Sequence, residues 1–167
     1  NRRAFLLLST AAVASAPGGP ASAAQNDVTA LLDEAMQRAL LTSPQLMTIT
    51  GLDIGVNAAA RARLDDRSSD GLEAMRRVFV ELKSGLSRFD PAKLSQADWI
   101  NHQSAAYLAD TTLQSYSFPY GDPNVGVAVP YVVSQLTGAY RNVPGFLANQ
   151  HPVATASDAE AYLARLS

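Results

Sequence analysis

A stripe of six large apolar residues within residues 69–89 is the feature that most constrains how this chain can fold. Its members are Leu72, Met75, Phe79, Leu82, Leu86 and Phe89, at successive spacings of 3, 4, 3, 4 and 3 residues. This period places all six side chains on one face of an α-helix, whereas the side chains of a half-buried strand alternate every second residue. Asp90 and Pro91 then end the predicted helix.

A second predicted helix follows directly and completes a helical hairpin. Ser95 and Asp98 have the spacing of a capping box, in which each side chain satisfies a free backbone N–H of the other residue. We expect this helix to pass through Trp99, Ile100, Tyr107 and Leu108 and to end near Ser115. Two long helices joined by a short turn pack antiparallel. The sequence therefore predicts an all-α fold, organised as a helical hairpin or bundle.

Two more helices are predicted before the hairpin. Residues 27–42 form an amphipathic pattern with Asp27 as the N-cap, and a shorter piece begins at Pro44 and ends near Gly51. Residues 52–67 then mix arginine with aspartate, and this mixed run contains Arg61, Arg63, Asp65, Asp66 and Arg67. Neighbouring carboxylates could perform acid–base chemistry or bind a cation. Because three arginines flank them, we expect a solvated face of ion pairs instead.

Composition excludes several classes of site. The chain has 167 residues and no cysteine, which excludes disulfide scaffolds, zinc ribbons, iron–sulfur clusters and thiol nucleophiles. A net charge of −2 lacks the basic excess of a nucleic-acid-binding protein. The two histidines, His102 and His151, are far apart in the sequence and form no local metal cluster. We expect both to be hydrogen-bonded parts of the structure.

Residues 111–157 differ in character from the rest of the chain. Their 47 residues carry only two charges, Asp122 and Arg141. They also contain six aromatic residues, namely Tyr116, Phe118, Tyr120, Tyr131, Tyr140 and Phe146. Proline and glycine make residues 118–130 a long irregular loop.

An apolar loop of this length is expected to lie against something, because burial stabilises by roughly 25 cal/mol per Å². One interpretation is that it packs on a further part of the protein, with Tyr131, Leu136, Tyr140 and Phe146 facing that part. A second interpretation is that Tyr120, Tyr131 and Tyr140 line a substrate cleft. The two interpretations are compatible.

The first 23 residues have the pattern of an export signal. Arg2 and Arg3 precede an uncharged run over residues 4–16, and Ala21, Ser22 and Ala23 offer a small-residue cleavage site. The run is shorter than the roughly 20 residues that a membrane span requires. Two arginines followed by Phe-Leu are typical of the twin-arginine route, with an ordinary secretory signal or an uncut anchor as alternatives.

The other end of the chain predicts a last helix. Ser157 and Glu160 have capping-box spacing, and an apolar stripe starts after them. The chain ends about two turns later, and so short a helix is marginal without packing partners. We therefore expect residues 24–167 to be the N-terminal helical part of a larger domain.

Several motifs together resemble a known bacterial family. They lie at residues 130–140, 143–147, 150–151 and 158–163, with further matches at residues 43–44, 51–53, 64–66 and 118–121. The core Ser-Gln-Leu-Thr-Gly-Ala-Tyr, ending at Tyr140, is distinctive. From about Asp27 onward, the chain resembles the N-terminal half of the domain of unknown function numbered 885, a group of exported or lipid-anchored, metallopeptidase-like proteins.

The resemblance implies a predominantly helical protein of several hundred residues. Its C-terminal half would carry an H-E-x-x-x-G-H-H-type zinc motif and a later glutamate motif, with a glutamate as general base. Neither His102 nor His151 is followed by glutamate, so no catalytic residue and no zinc ligand is assigned to this chain.

The resemblance thus implies the front of a periplasmic or secreted hydrolase that acts on peptide or amide bonds. Its partners would be the missing C-terminal half and a peptide-like substrate, without nucleic acid or a stable membrane span. The alternative is a non-enzymatic helical binding module, with the aromatic-rich segment as its interaction face.

Overall fold

The computed structural model describes residues 21–123 and 129–167, with side chains from Asp27 onward. Its α-helices are α1 (Ala21–Thr42), α2 (Pro44–Ile49), α3 (Ser69–Leu86), α4 (Gln96–Ser115), α5 (Ala139–Asn149) and α6 (Ala156–Ala164). Short 3-10 helices cover Gly55–Ala62 and Pro91–Lys93. The described residues contain no strand beyond an isolated bridge between Asp122 and Val129. The predicted all-α class is confirmed.

The export signal predicted for residues 1–23 lies outside the described residues, except that Ala21, Ser22 and Ala23 begin α1. Within the described ranges, no helix combines the length and apolar character needed to cross a bilayer.

Helices α1, α3 and α4 form the hydrophobic core. Phe79, Leu82 and Leu86 of α3 are buried with Ala109 of α4, as the apolar stripe predicts. Partly buried residues of the three helices pack around them, namely Leu31, Leu32, Ala35, Met75, Ala105, Ala106 and Leu113. The core therefore lies between the predicted hairpin and α1.

Glycine permits the close approach of α1 to α3. Leu31 of α1 lies against Gly85, where an added Cβ would be 2.6 Å from the Leu31 Cδ1 atom. Farther along α1, the Thr42 hydroxyl contacts the Met75 sulfur atom at 3.6 Å. Contacts that ascend along α1 and descend along α3 show that the two helices run antiparallel.

The predicted helix starts are confirmed in the middle of the chain and wrong near its ends. Ser95 caps α4, where its hydroxyl accepts a hydrogen bond from the Asp98 N–H at 3.2 Å. Asp27 is not an N-cap, because α1 begins at Ala21. Helix α6 is capped by Thr155 rather than by Ser157. The Thr155 hydroxyl and the Asp158 carboxylate form the capping box there.

Helix α4 turns its small and polar side to the core. The large apolar residues along it, Trp99, Ile100, Tyr107 and Leu108, are exposed. Its buried residues are Asp98, His102, Ala109, Thr112 and Ser115. Small residues suit this contact because the bulky side chains of α3 already fill the space between the two helices.

A second layer sits beside this core. The 3-10 helix Gly55–Ala62 packs against α2 on one side and against α6 on the other. The contact with α6 joins parts of the chain that are far apart in sequence, as Arg61 and Asp158, 97 residues apart, show. The polar contacts that hold this layer together belong to the candidate site.

Candidate functional site

Arg61 binds two buried carboxylates between the 3-10 helix and α6. Its Nε and Nη2 atoms each lie 3.0 Å from an oxygen of Asp53, and its Nη1 lies 2.6 Å from Asp158 Oδ1. Asp53 and Asp158 are both buried. The predicted solvated ion-pair face is therefore wrong for Arg61, since both of its partners are buried and one of them, Asp158, lies 97 residues away.

The other charged residues of the mixed run differ in their exposure to solvent. Asp65 is half-buried and accepts hydrogen bonds from the Ser43 hydroxyl at 3.0 Å and the Gln45 N–H at 2.9 Å. Arg67 is exposed and pairs with Asp122 at 2.6 Å, which ties the run to the start of the irregular loop. Only the exposed members of the run agree with the prediction.

The carboxylates of this network stay charged at neutral pH. Hydrogen bonds from Arg61 hold the pKa of Asp53 below its ordinary value, against the opposing effect of burial. Hydrogen bonds from Thr155 and Arg61 lower the pKa of Asp158 to about 2. A general acid or base works best with a pKa near the operating pH. Asp53 and Asp158 therefore suit a structural role.

Arg165 extends the network to α2 and α5. This side chain is only 5% exposed, and burial lowers its pKa. Nη1 donates to His151 Nδ1 at 2.6 Å, and Nη2 donates to the Thr48 hydroxyl at 2.7 Å. The carbonyls of Ala60 and Arg63 accept further hydrogen bonds at 3.1 Å and 2.9 Å.

The same guanidinium lies 4.8 Å from the centre of the Phe146 ring. Phe146 is consequently buried, so the prediction that it faces another part of the protein is wrong. A cation over an aromatic face is favourable where water is excluded.

Neither histidine fits a zinc site. Nε2 of His102 lies 3.0 Å from the Leu86 carbonyl, and its Nδ1 faces the Gln103 amide nitrogen at 3.2 Å. Nε2 of His151 lies 2.9 Å from the Asp158 carbonyl, while its Nδ1 accepts from Arg165. Carbonyls only accept, so each Nε2 carries the proton and each Nδ1 lone pair is already used.

A zinc ligand needs a free lone pair, which neither ring offers. Across the described residues, no three side chains of His, Asp or Glu come together as a metal site. The zinc that the resemblance implies therefore has no fitting residues in the described part of this chain.

The three candidate tyrosines are all exposed, as a binding role requires. Tyr120 is 64% exposed, Tyr131 67% and Tyr140 59%. The bridge between Asp122 and Val129 has hydrogen bonds of 2.9 Å and 3.3 Å and is antiparallel. Beyond the bridge, Gly121 lies against the backbone of Val129 and Pro130, the residues next to Tyr131. The fold thus brings the segments that carry these two tyrosines together.

Tyr140 is held by a tight turn over residues 134–137, which follows Tyr131 in the sequence. The Ser134 hydroxyl accepts from the N–H groups of Leu136 and Thr137 and contacts the Thr137 hydroxyl at 2.7 Å. The Ser134 N–H donates to the Thr137 carbonyl at 3.0 Å. The Tyr140 hydroxyl donates to the Ser134 carbonyl at 2.5 Å, which fixes the ring to the turn.

Gly138 makes this arrangement possible. Its φ is 120°, which side chains rarely tolerate, and an added Cβ would lie 3.1 Å from the Val132 carbonyl oxygen. The distinctive Ser-Gln-Leu-Thr-Gly-Ala-Tyr core therefore encodes a self-bonded turn. Sequence reasoning missed this role, although serine three residues before threonine is a recognisable turn signal.

We group six exposed side chains of this turn and of the two bridged segments under the name apolar surface. It comprises Tyr120, Tyr131, Val132, Val133, Leu136 and Tyr140. By contrast, the cavity of about 580 Å³ between α1 and α3 has charged walls that include Glu34, Arg38 and Glu81. Arg38 binds both glutamates there. The apolar surface is therefore the better candidate for a binding site.

A family model described as bacterial protein of unknown function (DUF885) matches residues 44–167. The chain belongs to the DUF885 family. No curated protein and no solved structure matches the chain. The DUF885 match begins at Pro44, the first residue of α2, and so includes both the buried network and the apolar surface.

Proposed function

We propose that this chain is the substrate-binding, N-terminal portion of an exported, metallopeptidase-like hydrolase that acts on peptide or amide bonds. The observation that carries this proposal is the apolar surface. Its six large apolar side chains are all exposed, and extensive exposed apolar area on a folded protein often marks a binding site. The metallopeptidase-like character comes from the resemblance, and the metal ligands and general base would lie outside these 167 residues.

In this proposal, the apolar surface is one wall of the substrate cleft. Tyrosine rings offer a large, stiff contact area at a small cost in conformational entropy. The Tyr140 hydroxyl is committed to the Ser134 carbonyl, so this residue offers its ring rather than a free polar group. The role of these residues is to bind and orient a peptide, while chemistry occurs elsewhere.

A non-enzymatic binding module is the second candidate. It is favoured by the chemistry of the described polar groups, because both histidines and the three buried aspartates, Asp53, Asp98 and Asp158, are engaged in structure. The sequence of the gene beyond Ser167 separates the two candidates. A histidine–glutamate helix motif there supports the hydrolase, whereas a stop codon at that point supports the binding module.

Peptide binding by the 167-residue chain tests the proposed wall. Fluorescence anisotropy with labelled neutral peptides should detect binding, and Tyr131→Ala or Tyr140→Ala should each weaken it by about tenfold, since truncated aromatic contacts commonly cost more than 1 kcal/mol. Tyr107→Ala is the matched control, because Tyr107 is an exposed tyrosine on α4, 73% accessible and outside the apolar surface.

Equal affinities for all three variants and the unaltered chain would contradict the proposal. In a full-length protein with measurable peptidase activity, the same two substitutions should raise KM more than they lower kcat. That pattern is expected for residues that contact the substrate away from the reacting bond.

A further inference from the structure

His151 lies in the link between α5 and α6, and its buried side chain is bonded at both ring nitrogens. Its Nε2–H donates to the Asp158 carbonyl in the first turn of α6 at 2.9 Å. Its Nδ1 accepts from the guanidinium of Arg165, the residue that caps the end of α6, at 2.6 Å. The Tyr162 ring packs edge-on against it, with 5.4 Å between the ring centres. One imidazole thus contacts α6 near its start, along its length and at its end.

This geometry requires an uncharged imidazole. A guanidinium only donates hydrogen bonds and stays charged, so the His151 Nδ1 must offer a lone pair. A proton on Nδ1 would remove that hydrogen bond and place two cations in contact. Because Arg165 is buried, little water is present to screen the repulsion. Protonation of His151 therefore opposes the contacts of Arg165, which reach Thr48 on α2 and Ala60 on the 3-10 helix.

The carboxylates of the network offer a protonated ring no free oxygen. Both oxygens of Asp53 accept hydrogen bonds from Arg61. Asp158 uses one oxygen for Arg61 and the other for two backbone N–H groups. Asp65, whose charge also acts on Arg165, accepts hydrogen bonds from the start of α2. The group that directly faces Nδ1 is thus a cation, while the anions of the network are already bonded.

His102 is also buried but has an uncharged neighbour at Nδ1. Its Nε2 lies 3.0 Å from the Leu86 carbonyl, so this half of its environment matches that of His151. Its Nδ1 faces the side-chain amide of Gln103 at 3.2 Å. Gln103 is exposed, so its amide can turn and present its oxygen to a protonated ring. His102 is therefore the matched control for His151.

We propose that His151 is an acid-sensitive latch, which holds α6 in place when its ring is neutral and releases α6 when Nδ1 is protonated. Arg165 is the positioning residue of this latch, because its guanidinium opposes the added proton. Histidine is the side chain that ordinarily changes its charge between about pH 5 and about pH 8. Stability that requires a neutral ring is complete above that range and is lost as the pH falls through it. The latch does not depend on the proposed function.

Urea unfolding of the 167-residue chain at about pH 8 and about pH 5.5 tests the latch. We expect the folding equilibrium constant to be about tenfold smaller at the lower pH. The unfolded chain binds a proton there, at the ordinary histidine pKa of about 6.5, whereas the native ring resists that proton. His102→Gln should keep this tenfold fall. His151→Gln, which does not titrate, and Arg165→Met, which removes the facing cation, should both lose it.

Two measurements on the unaltered chain accompany the variants. Between the two pH values, hydrogen exchange should show a larger loss of protection in α6 than in α3, since release of α6 leaves α3 packed in the core. At about pH 8, ¹⁵N NMR of the His151 ring should show a proton on Nε2 and none on Nδ1.

The latch would be overturned by an unaltered chain whose stability does not fall, by a fall that persists in His151→Gln or Arg165→Met, or by a proton on Nδ1 in the NMR measurement. Equal losses of protection in α3 and α6 would overturn the release of α6.

Discussion

Replacing Arg165 with methionine tests whether the buried network holds α6 in place. Methionine has a similar length but no donor, so His151 Nδ1 and the carbonyls of Ala60 and Arg63 would lose their Arg165 hydrogen bonds. A buried acceptor left without its partner costs about 1–3 kcal/mol. Part of this loss is offset, because Arg165→Met removes a buried charge that is costly to desolvate. The substitution leaves no carboxylate unpaired, because Asp53 and Asp158 remain paired with Arg61.

The balance of these effects predicts a net loss of about 2–4 kcal/mol, a large share of the 5–15 kcal/mol that is typical of a folded domain. Urea unfolding followed by circular dichroism should therefore show a lower midpoint with an unchanged slope. The urea midpoint of Arg165→Lys should lie between those of the unaltered chain and Arg165→Met, since one ammonium cannot reproduce the planar fork of the guanidinium.

Arg141→Met is the control for this measurement, because Arg141 is an exposed arginine on α5. A surface substitution of this kind usually changes stability by less than about 0.5 kcal/mol. If Arg165→Met and Arg141→Met unfolded at the same urea concentration, the hydrogen bonds of Arg165 would contribute nothing to holding the second layer, and the reasoning would be refuted.

Three further predictions concern packing, acid and export. Gly85→Ala should destabilise the chain by about 1 kcal/mol through contact with Leu31, yet stabilise it by a similar amount in a Leu31→Ala background, where the helix propensity of alanine dominates; a double-mutant cycle of urea midpoints measures the reversal, and a gain in both backgrounds would contradict it. Because the pKa of Asp158 is lowered to about 2, its contribution to stability is complete above its ordinary pKa near 3.8 and is lost as the pH falls toward 2; the stability difference between the unaltered chain and Asp158→Asn should shrink over that range, and a constant difference would oppose the assignment. Replacing both Arg2 and Arg3 with lysine should leave uncleaved precursor in the cytoplasm, as immunoblots of cell fractions would show, whereas undiminished export would exclude the twin-arginine route.

The hairpin is predictable from the sequence because its signals are local. The predicted stripe repeats within a single helix as far as Leu86, where α3 ends three residues before Phe89. The Ser95 cap acts on a residue three positions away. Such patterns depend only on helix geometry, so no knowledge of distant partners is needed. Tyr120, Tyr131 and Tyr140 are exposed, and their role in substrate binding stays a prediction.

The buried network is not predictable in this way, because its contacts join distant parts of the chain. Arg61 sits among charges that suggest a solvated surface, and its burial depends on Asp158, 97 residues later. In the sequence, Phe146 resembles the exposed tyrosines of the same segment. In the structure, the Arg165 guanidinium lies over its ring and Phe146 is buried. Local charge and hydropathy report a residue's neighbours in sequence, while burial depends on its neighbours in space.

The reach of Arg165 across the chain has a consequence for synthesis on the ribosome. Its guanidinium completes a hydrogen bond with Thr48, a residue made 117 positions earlier. At about 5–20 residues per second, that interval lasts roughly 6–23 seconds. Until Arg165 is made, the Thr48 hydroxyl and the carbonyls of Ala60 and Arg63 lack the hydrogen bonds that it donates. Helix α2 and the first 3-10 helix therefore cannot reach their final packing. The second layer must therefore close after translation of Arg165, while the hairpin of α3 and α4 can form as soon as it emerges.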